Sequence, residues 1–326
     1  MSLRYTSRGS LRGEHNRTIT CLAFSPNGLY IASGALDGKL SIWCTTTGKL
    51  VHVVAGAVCI LALSWNSLSG NDILCGLADG LVVSLNIDDD LSATGYVAHR
   101  HPVERLAVSG TYVATGARNE VRLWWYENNE EWKCIASSTQ PPYAGTNLHL
   151  EAIVTSLHWV SSGKSAPTTL LVSYMHHGIV FFDIPTFKIT RFMPSPTLVG
   201  GTSLSPNCKF LAVSNLCTGF DVYDLDVNAP VMNLKHDVNL RFTVPVLFMH
   251  EGHAILGGST CGKVRVWDAT KGRHLHMLHH EENDIILAIA AHYDTVQDKF
   301  LVATGARAAT GGAPYIRLWE AFDLCE

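Results

Sequence analysis

A short pattern that returns seven times along the chain constrains the fold more than any other feature of the sequence. Each copy has an apolar strand, a turn, a strand ending in small residues, a polar turn, and a third strand closing on a large hydrophobic residue. The clearest copy is HNRTITCLAFSPNGLYIASGALDGKLSIW, residues 15–43. Its small-residue segment recurs as IASGALDG (31–38), ILCGLADG (73–80), VATGARNE (113–120), LVSYMHHG (171–178), LAVSNLCTG (211–219), ILGGSTCG (255–262) and LVATGARAATGG (301–312).

The spacing of the copies indicates the size of the repeated unit. The residues that close the third strands are Trp43, Leu85, Trp124, Phe182, Tyr223, Trp267 and Trp319. Most intervals between them lie near the ~40–45 residues typical of a four-stranded propeller blade. The two longer intervals contain the turn-rich insertions STQPPYAGTN (138–147), SSGKSAPTT (161–169) and GARAATGGAP (305–314). Insertions in turns leave the strands of a repeat intact.

The first copy resembles the WD-repeat family. Gly13 and His15 correspond to the opening Gly-His pair, FSPNG (24–28) to the first turn, and Asp37 and Trp43 to the later signature positions. The resemblance implies an all-β, seven-bladed propeller of four-stranded antiparallel blades. We expect blades at about 14–54, 57–97, 99–138, 148–194, 197–236, 239–279 and 283–326, the last completed by residues 1–12.

Ring closure follows from the two ends of the repeat pattern. The last copy reaches only its third strand, YIRLWEAF, whereas RYTSRGSLRG (4–13) has no blade of its own. Because an open sheet edge has to be covered, we expect this N-terminal segment to supply the outer strand of blade seven.

In the family, four polar side chains of a repeat form a hydrogen-bonded chain. Carried over to the first copy, the resemblance implies a chain of His15, Ser33, Asp37 and Trp43. These residue types also occur in Ser-His-Asp hydrolases, but a hydroxyl buried by a blade cannot reach a substrate. We therefore assign the set a structural role and no catalytic one.

Composition limits the partners and the cellular compartment. The chain has 326 residues, 47% hydrophobic and 16% charged, with a formal net charge of −4. These values predict one domain with a large core and no overall field that attracts nucleic acid or an anionic membrane. Nine cysteines without a CxxC pair indicate a reducing compartment. The N-terminus lacks a signal-peptide pattern, so we expect a cytoplasmic or nuclear protein.

Two motifs suggest chemistry that their contexts disfavour. GGSTCGKV (257–264) approaches a phosphate-binding loop but has Val264 where a hydroxyl would bind magnesium, and it lies between two predicted strands. RHLHMLHH (273–280) places His274 and His276 on one face of an alternating strand, where two imidazoles could share a metal. The simpler interpretation is a solvated outer strand. We predict no cofactor.

The loops that lead into each blade and the turns between its second and third strands should share one face of the ring. We call it the top face. Arginine and tyrosine are frequent binding hot spots. The predicted top-face binding candidates are Arg17, Leu36, Arg118, Tyr143, His149, His176, Arg241 and Arg307.

Rigid repeats with variable loops favour a non-catalytic scaffold that binds other proteins. Acidic or phosphorylated segments suit the arginines. We expect a monomer within a larger complex, with nucleic acid and membrane disfavoured. The alternatives are a propeller that binds a small ligand or glycan and, less favoured, a propeller enzyme. The inner strands ITCLAF, ILALSW, IVTSLHW, VLFM and ILAIAA are largely apolar, with His158 and Glu104 as polar exceptions.

Overall fold

The computed structural model describes residues 3–66, 70–87, 92–127, 131–138, 141, 149–161, 166–236, 242–294, 298–307 and 311–323. These residues form seven four-stranded antiparallel sheets. The innermost strand of each sheet packs against those of both neighbours, and the innermost strands of the last and first blades also meet. The predicted all-β, seven-bladed propeller is confirmed. Within the described ranges, no helix is long and apolar enough to cross a membrane.

The strands follow one another from the axis outwards in each of the first four blades. Blade 1 contains β2 (Ile19–Phe24), β3 (Tyr30–Ala35), β4 (Lys39–Cys44) and β5 (Leu50–Ala55). Blade 2 contains β6 (Ile60–Trp65), β7 (Asp72–Leu77), β8 (Leu81–Asn86) and β9 (Ser92–Val97). Blade 3 contains β10 (Arg105–Ser109), β11 (Tyr112–Ala117), β12 (Glu120–Glu127) and β13 (Glu131–Ser138). Blade 4 contains β14 (Val154–Val160), β15 (Thr169–Tyr174), β16 (Gly178–Asp183) and β17 (Ile189–Met193).

The last three blades repeat this order, with one exception at the edge of blade 7. Blade 5 contains β18 (Gly201–Leu204), β19 (Phe210–Ser214), β20 (Gly219–Asp224) and β21 (Ala229–Lys235). Blade 6 contains β22 (Val246–Met249), a 3-10 turn (His250–Gly252), β23 (Ala254–Gly257), β24 (Lys263–Asp268) and β25 (His274–His279). Blade 7 contains β26 (Ile285–Asp294), β27 (Lys299–Arg307), β28 (Tyr315–Asp323) and, as its outer strand, β1 (Leu3–Arg12).

Small residues in the second strand of a blade allow the next blade to pack closely. A Cβ atom on Gly34 would lie 2.6 Å from the Cγ2 of Ile60, and one on Gly116 would lie 2.8 Å from the Cγ1 of Val154. Both distances are shorter than van der Waals contact. The recurring Ser/Thr-Gly of the repeat therefore marks the contacts between neighbouring blades.

The N-terminal strand closes the ring, as the sequence predicts. β1 runs antiparallel to β28 from Leu3, opposite Asp323, to Arg12, opposite Tyr315. Tyr5 is buried in an apolar cluster with residues of blades 6 and 7, and its hydroxyl donates a hydrogen bond to Nε2 of His250. The first strand thus covers the edge of β28 and also binds the neighbouring blade.

The stretch that approaches a phosphate-binding loop is a turn between strands. It joins β23 to β24 within blade 6. The Ser259 hydroxyl accepts the backbone N–H groups of Cys261 and Lys263, each at 3.1 Å. The turn thus uses its own hydroxyl to order its backbone.

An aspartate after the third-strand aromatic residue orders the turn into the outer strand in three blades. Asp183, Asp224 and Asp268 each accept a backbone N–H of that turn, at 3.0, 2.8 and 2.8 Å respectively. In blade 1 the same position is Cys44, in a turn with matching backbone bonds to Gly48 and Lys49. A hydrogen bond from the Thr47 hydroxyl is the main cause that lowers the pKa of the Cys44 thiol. The thiol therefore occupies the place of the carboxylate as a weaker acceptor.

We expect deletion of residues 1–12 to make the protein aggregate, because it exposes the edge of β28 and removes the buried Tyr5. Size-exclusion chromatography with light scattering measures the change. Adding the Leu3–Arg12 peptide in trans should restore monomer. A deletion variant that stays monomeric without the peptide would contradict closure by this strand.

We expect Cys44→Asp to raise the free energy of unfolding by about 0.5–1 kcal/mol, because a carboxylate accepts the backbone N–H groups of the turn after β4 better than a thiol does. Arg8, which donates to the Thr46 carbonyl, adds a nearby positive charge. Denaturant unfolding measures the change, with Cys44→Ala as the matched control. The interpretation fails if the aspartate variant is no more stable than the alanine variant.

Candidate interaction surface on the top face

The four polar residues singled out in blade 1 lie in one hydrogen-bonded chain. Nδ1 of His15 donates to the Asp37 carboxylate at 3.4 Å, and Nε2 accepts the Ser33 hydroxyl at 2.8 Å. Nε1 of Trp43 donates to the same hydroxyl oxygen at 3.4 Å. Ser33 is completely buried, so its hydroxyl is inaccessible to a substrate. His15 precedes the inner strand and Asp37 lies between β3 and β4, so the chain ties both kinds of top-face loop together.

Blade 3 contains a second chain of the same form, which the sequence analysis missed. Nδ1 of His99 donates to Glu120 at 2.6 Å, and Nε2 accepts the Thr115 hydroxyl at 2.7 Å. Nε1 of Trp124 donates to Thr115 Oγ1 at 2.9 Å. His99 occupies the same position in the third repeat as His15 in the first, and this correspondence could have indicated the chain. It was missed because a glutamate replaces the aspartate of the first repeat.

Blade 7 contains a third variant that begins at the end of the histidine-rich segment. Nε2 of His280 accepts the Thr304 hydroxyl at 2.7 Å, and Trp319 donates to the same oxygen at 2.9 Å. Tyr315 replaces the acidic residue as the partner of Nδ1. The Tyr315 hydroxyl in turn donates a hydrogen bond to the Asp284 carboxylate at 2.6 Å. His280 is therefore packed into blade 7, contrary to its expected position on a solvated strand.

The structure separates His274 from His276, contrary to the expected common face. A β-bulge in β25 places Trp267 opposite His274 and Val266 opposite His276, which interrupts the alternation of side chains. The His276 ring lies 5.1 Å from the ring of Tyr5 in blade 7, whereas His274 lines a groove beside Lys235 of blade 5. In the part of the chain that the structure describes, no cluster of three or more potential metal ligands occurs.

Two of the predicted top-face residues line the same groove. Arg17 and Arg307 are exposed and border a cavity of about 640 Å³. Neither guanidinium forms an ion pair with a described residue. The cavity is also bordered by Asn16, Thr18, Phe242, Asn283, Ile285, Gly311, Gly312 and Pro314. We call this cavity the arginine groove.

The other predicted residues are dispersed. Arg118 faces Glu151 at 3.9 Å, which weakens its field. Leu36 is partly buried, His149 is exposed, and His176 is partly buried. Tyr143 and Arg241 lie outside the described residues.

The central channel opens on the top face. A cavity of about 600 Å³ is lined by residues at or near the start of the innermost strand of every blade. We call it the channel mouth. One such residue from each blade is Thr20, Leu61, Arg105, Thr155, Thr202, Val246 and Leu287.

Two charged residues line the mouth of the otherwise largely apolar channel, and one histidine of the inner strands points to a neighbouring blade. Glu104 and Arg105 both line the mouth. His158 instead contacts the next blade, where its Nε2 lies 3.0 Å from both the carbonyl and the hydroxyl oxygen of Thr202. Arg105 was missed because strand RLAVS was not counted among the inner strands.

Comparison with known proteins agrees with this geometry. The model of the family described as "WD domain, G-beta repeat" matches residues 6–44, the part of the chain that holds the His15 network. The first repeat of this seven-bladed β-propeller is a WD repeat. The other six blades keep the same four-stranded architecture.

Three relatives show how far the similarity extends. The chain is 33% identical over 99 residues to the U3 small nucleolar RNA-associated protein 15 homolog of Mus musculus, covering 30% of this chain and 18% of that protein. It is 32% identical over 72 residues to Ribosome biogenesis protein BOP1 of Rattus norvegicus, covering 22% and 10%. It is 23% identical over 275 residues to Protein tipD of Dictyostelium discoideum, covering 81% and 42%. The chain thus spans less than half the length of each of these relatives.

We expect three buried histidines to make the propeller sensitive to acid. Burial lowers the pKa of His280 to about 3 and those of His158 and His250 to about 4. In the unfolded chain a histidine takes up a proton near pH 6.5. The unfolded state therefore binds more protons as the pH falls below this value, and the folded state loses stability.

We expect the free energy of unfolding to be lower at pH 5 than at pH 7.5, by at most roughly 2 kcal/mol for each of these three histidines. Urea unfolding at the two pH values measures the difference. His280→Gln cannot be protonated there and should show a smaller pH dependence than the wild type. Equal stability at both pH values would contradict the neutral, buried state of these side chains.

Proposed function

We propose that this WD-repeat protein is a non-catalytic scaffold that binds a partner polypeptide on its top face, with an acidic or phosphorylated segment in the arginine groove. The observation that carries the proposal is the pair of exposed guanidiniums, Arg17 and Arg307, on one cavity. Guanidinium groups form strong paired hydrogen bonds with carboxylates and phosphates.

The nearby acidic side chains do not occupy the guanidiniums of Arg17 and Arg307, which remain available to a ligand. Glu281 is paired with Arg12 at 3.2 Å, and Asp284 accepts the Tyr315 hydroxyl at 2.6 Å. Glu282 is exposed but does not line the groove. A negatively charged segment therefore meets two guanidiniums without a competing acidic residue among the described residues that line the groove.

The rest of the groove suits a polypeptide better than an isolated anion. Phe242, Ile285 and Pro314 supply apolar surface, whereas Asn16 and Asn283 supply amide groups. A bound segment would place an acidic group between the arginines and an apolar side chain beside it. Such a mixture of apolar anchors and oriented polar groups is typical of peptide recognition.

The relatives support a role in a multiprotein assembly. Their names associate one with U3 small nucleolar RNA and another with ribosome biogenesis. These names favour the nuclear alternative over the cytoplasmic one, and we propose a nuclear complex as the setting. Binding to RNA by other members of such a complex is compatible with a protein-binding role for this chain.

The test is affinity capture with quantitative mass spectrometry, comparing wild type with Arg17→Glu/Arg307→Glu. We expect the double reversal to reduce capture of specific partners at least tenfold, because two attractive contacts become repulsive. Lys271→Glu/Arg273→Glu, in the turn from β24 to β25 on the opposite face, makes the same change in net charge and should retain the partners.

Phosphatase treatment of the lysate before capture separates the two kinds of acidic segment. Loss of binding after treatment indicates a phosphorylated partner, and retained binding indicates a carboxylate-rich one. Equal capture by wild type and the top-face reversal would refute the proposed binding surface.

A further inference from the structure

The channel mouth holds the guanidinium of Arg105, which forms no ion pair with a described residue. Nε of Arg105 donates to the Thr155 carbonyl at 2.5 Å, and Nη1 donates to the Glu104 carbonyl at 2.7 Å. These two bonds fix the orientation of the side chain between blades 3 and 4. No ion pair involves Arg105 in the described part of the chain. Carbonyl oxygens satisfy two of its donors but supply no full negative charge.

This arrangement leaves the charge of the partly buried Arg105 poorly compensated. A charge removed from water loses more solvation free energy than neutral hydrogen-bond partners return. Burial lowers the pKa of Arg105, which reflects the same cost. An incoming anion would relieve it, because Arg105 lines a cavity of about 600 Å³ through which the anion could approach.

Three hydroxyl groups that line the channel mouth already have hydrogen-bond partners. The Thr20 hydroxyl donates to the Ile60 carbonyl at 2.6 Å. The Thr202 hydroxyl lies 2.9 Å from that of Ser173 and 3.0 Å from Nε2 of His158. Ser156 donates to the Thr155 carbonyl and accepts the Thr202 N–H. Among the described residues that line the mouth, Arg105 is the one that offers a positive charge to a ligand.

Glu104 limits what that ligand can be. Its side chain lines the same cavity and is close enough to Arg105 to act on its charge. A carboxylate there opposes a second negative charge, and the opposition increases with the charge of the ligand. A singly charged carboxylate is thus accommodated better than a phosphate dianion.

We propose that Arg105 binds a carboxylate of the partner polypeptide at the channel mouth. The inference rests on the proposed function and extends it, because a segment in the arginine groove would then have a second anchor near the axis. The carboxylate can come from an acidic side chain or from a chain terminus, and both present the same planar pair of oxygens to the guanidinium.

The test uses the full chain and three short acetylated peptides at millimolar concentration. Ac-Gly-Gly-Gly-OH offers a terminal carboxylate, Ac-Gly-Asp-Gly-NH2 a side-chain carboxylate, and Ac-Gly-Gly-Gly-NH2 is the neutral control. We expect at least one carboxylate peptide to raise the melting temperature, and calorimetric titration to give its Kd. The peptide that binds identifies the source. Inorganic phosphate should bind more weakly than that peptide.

Three variants locate the site. Arg105→Met should abolish the response, whereas Glu104→Gln should tighten binding several-fold by removing the opposing charge. Arg273→Met, in the turn from β24 to β25 on the opposite face, should respond like the wild type. Because Arg105→Met removes a partly buried charge that forms no ion pair with a described residue, its melting temperature without peptide should equal or exceed that of the wild type.

Three results would overturn the proposal. The wild type could respond to neither carboxylate peptide, Arg105→Met could respond as strongly as the wild type, or Glu104→Gln could leave the Kd unchanged. If Arg105→Met unfolds, the Glu104→Gln titration decides alone. If the peptide experiments fail but the Arg17/Arg307 reversal still loses its partners in affinity capture, the carboxylate site is wrong and the proposed scaffold function is retained.

Discussion

The packing of each blade against two neighbours is the constraint on which the whole structure depends. A four-stranded sheet of this size cannot bury both faces by itself, and here the adjoining blades cover them. Close approach requires small residues in the second strand, and the contact of Gly34 with Ile60 shows how little space remains. The same requirement makes the ring closed, because the first and last blades would otherwise leave a face and an edge in water. β1 meets it by pairing with β28 and burying Tyr5.

The histidine chains connect this packing to the proposed function. In blade 1 the Asp37 carboxylate accepts the backbone N–H of Asn16 at 2.9 Å as well as the imidazole of His15. Arg17 is the next residue, so the network that stabilises the blade also fixes the backbone from which a binding side chain projects. A buried network of this kind holds a loop in one conformation because each unpaired group would cost about 1–3 kcal/mol. A rigid loop loses less conformational entropy on binding.

Charged residues are few in this chain, and the position of each one determines how much it destabilises the fold. The chain is 16% charged, and Arg17 and Arg307 are exposed to water, so they destabilise the fold little. Arg105 differs because its guanidinium is held by carbonyl groups inside the channel mouth. Stability alone would favour an apolar residue there. The contrast between these arginines separates an exposed binding groove from an internal anchoring position.

The periodic features were predictable because they are repeated locally. Seven copies of a strand-turn pattern, closing on residues such as Trp43 and Trp319, were enough to predict the blade number and the closing strand. The exceptions arose where one residue or a local irregularity broke the pattern. Glu120 in place of aspartate hid the His99 chain, the insertion before Tyr315 hid the His280 chain, and a bulge separated His274 from His276.

The sequence by itself determined the seven-bladed ring and its closure by the first strand, because burial repeats along the chain at a fixed period. Only the tertiary structure decided which charges meet. Arg17 and Arg307 share a groove, and Arg105 lies beside Glu104 in the channel mouth without an ion pair to a described residue. These positions depend on how distant segments superpose around an axis, and that superposition leaves no periodic signal in the order of the residues.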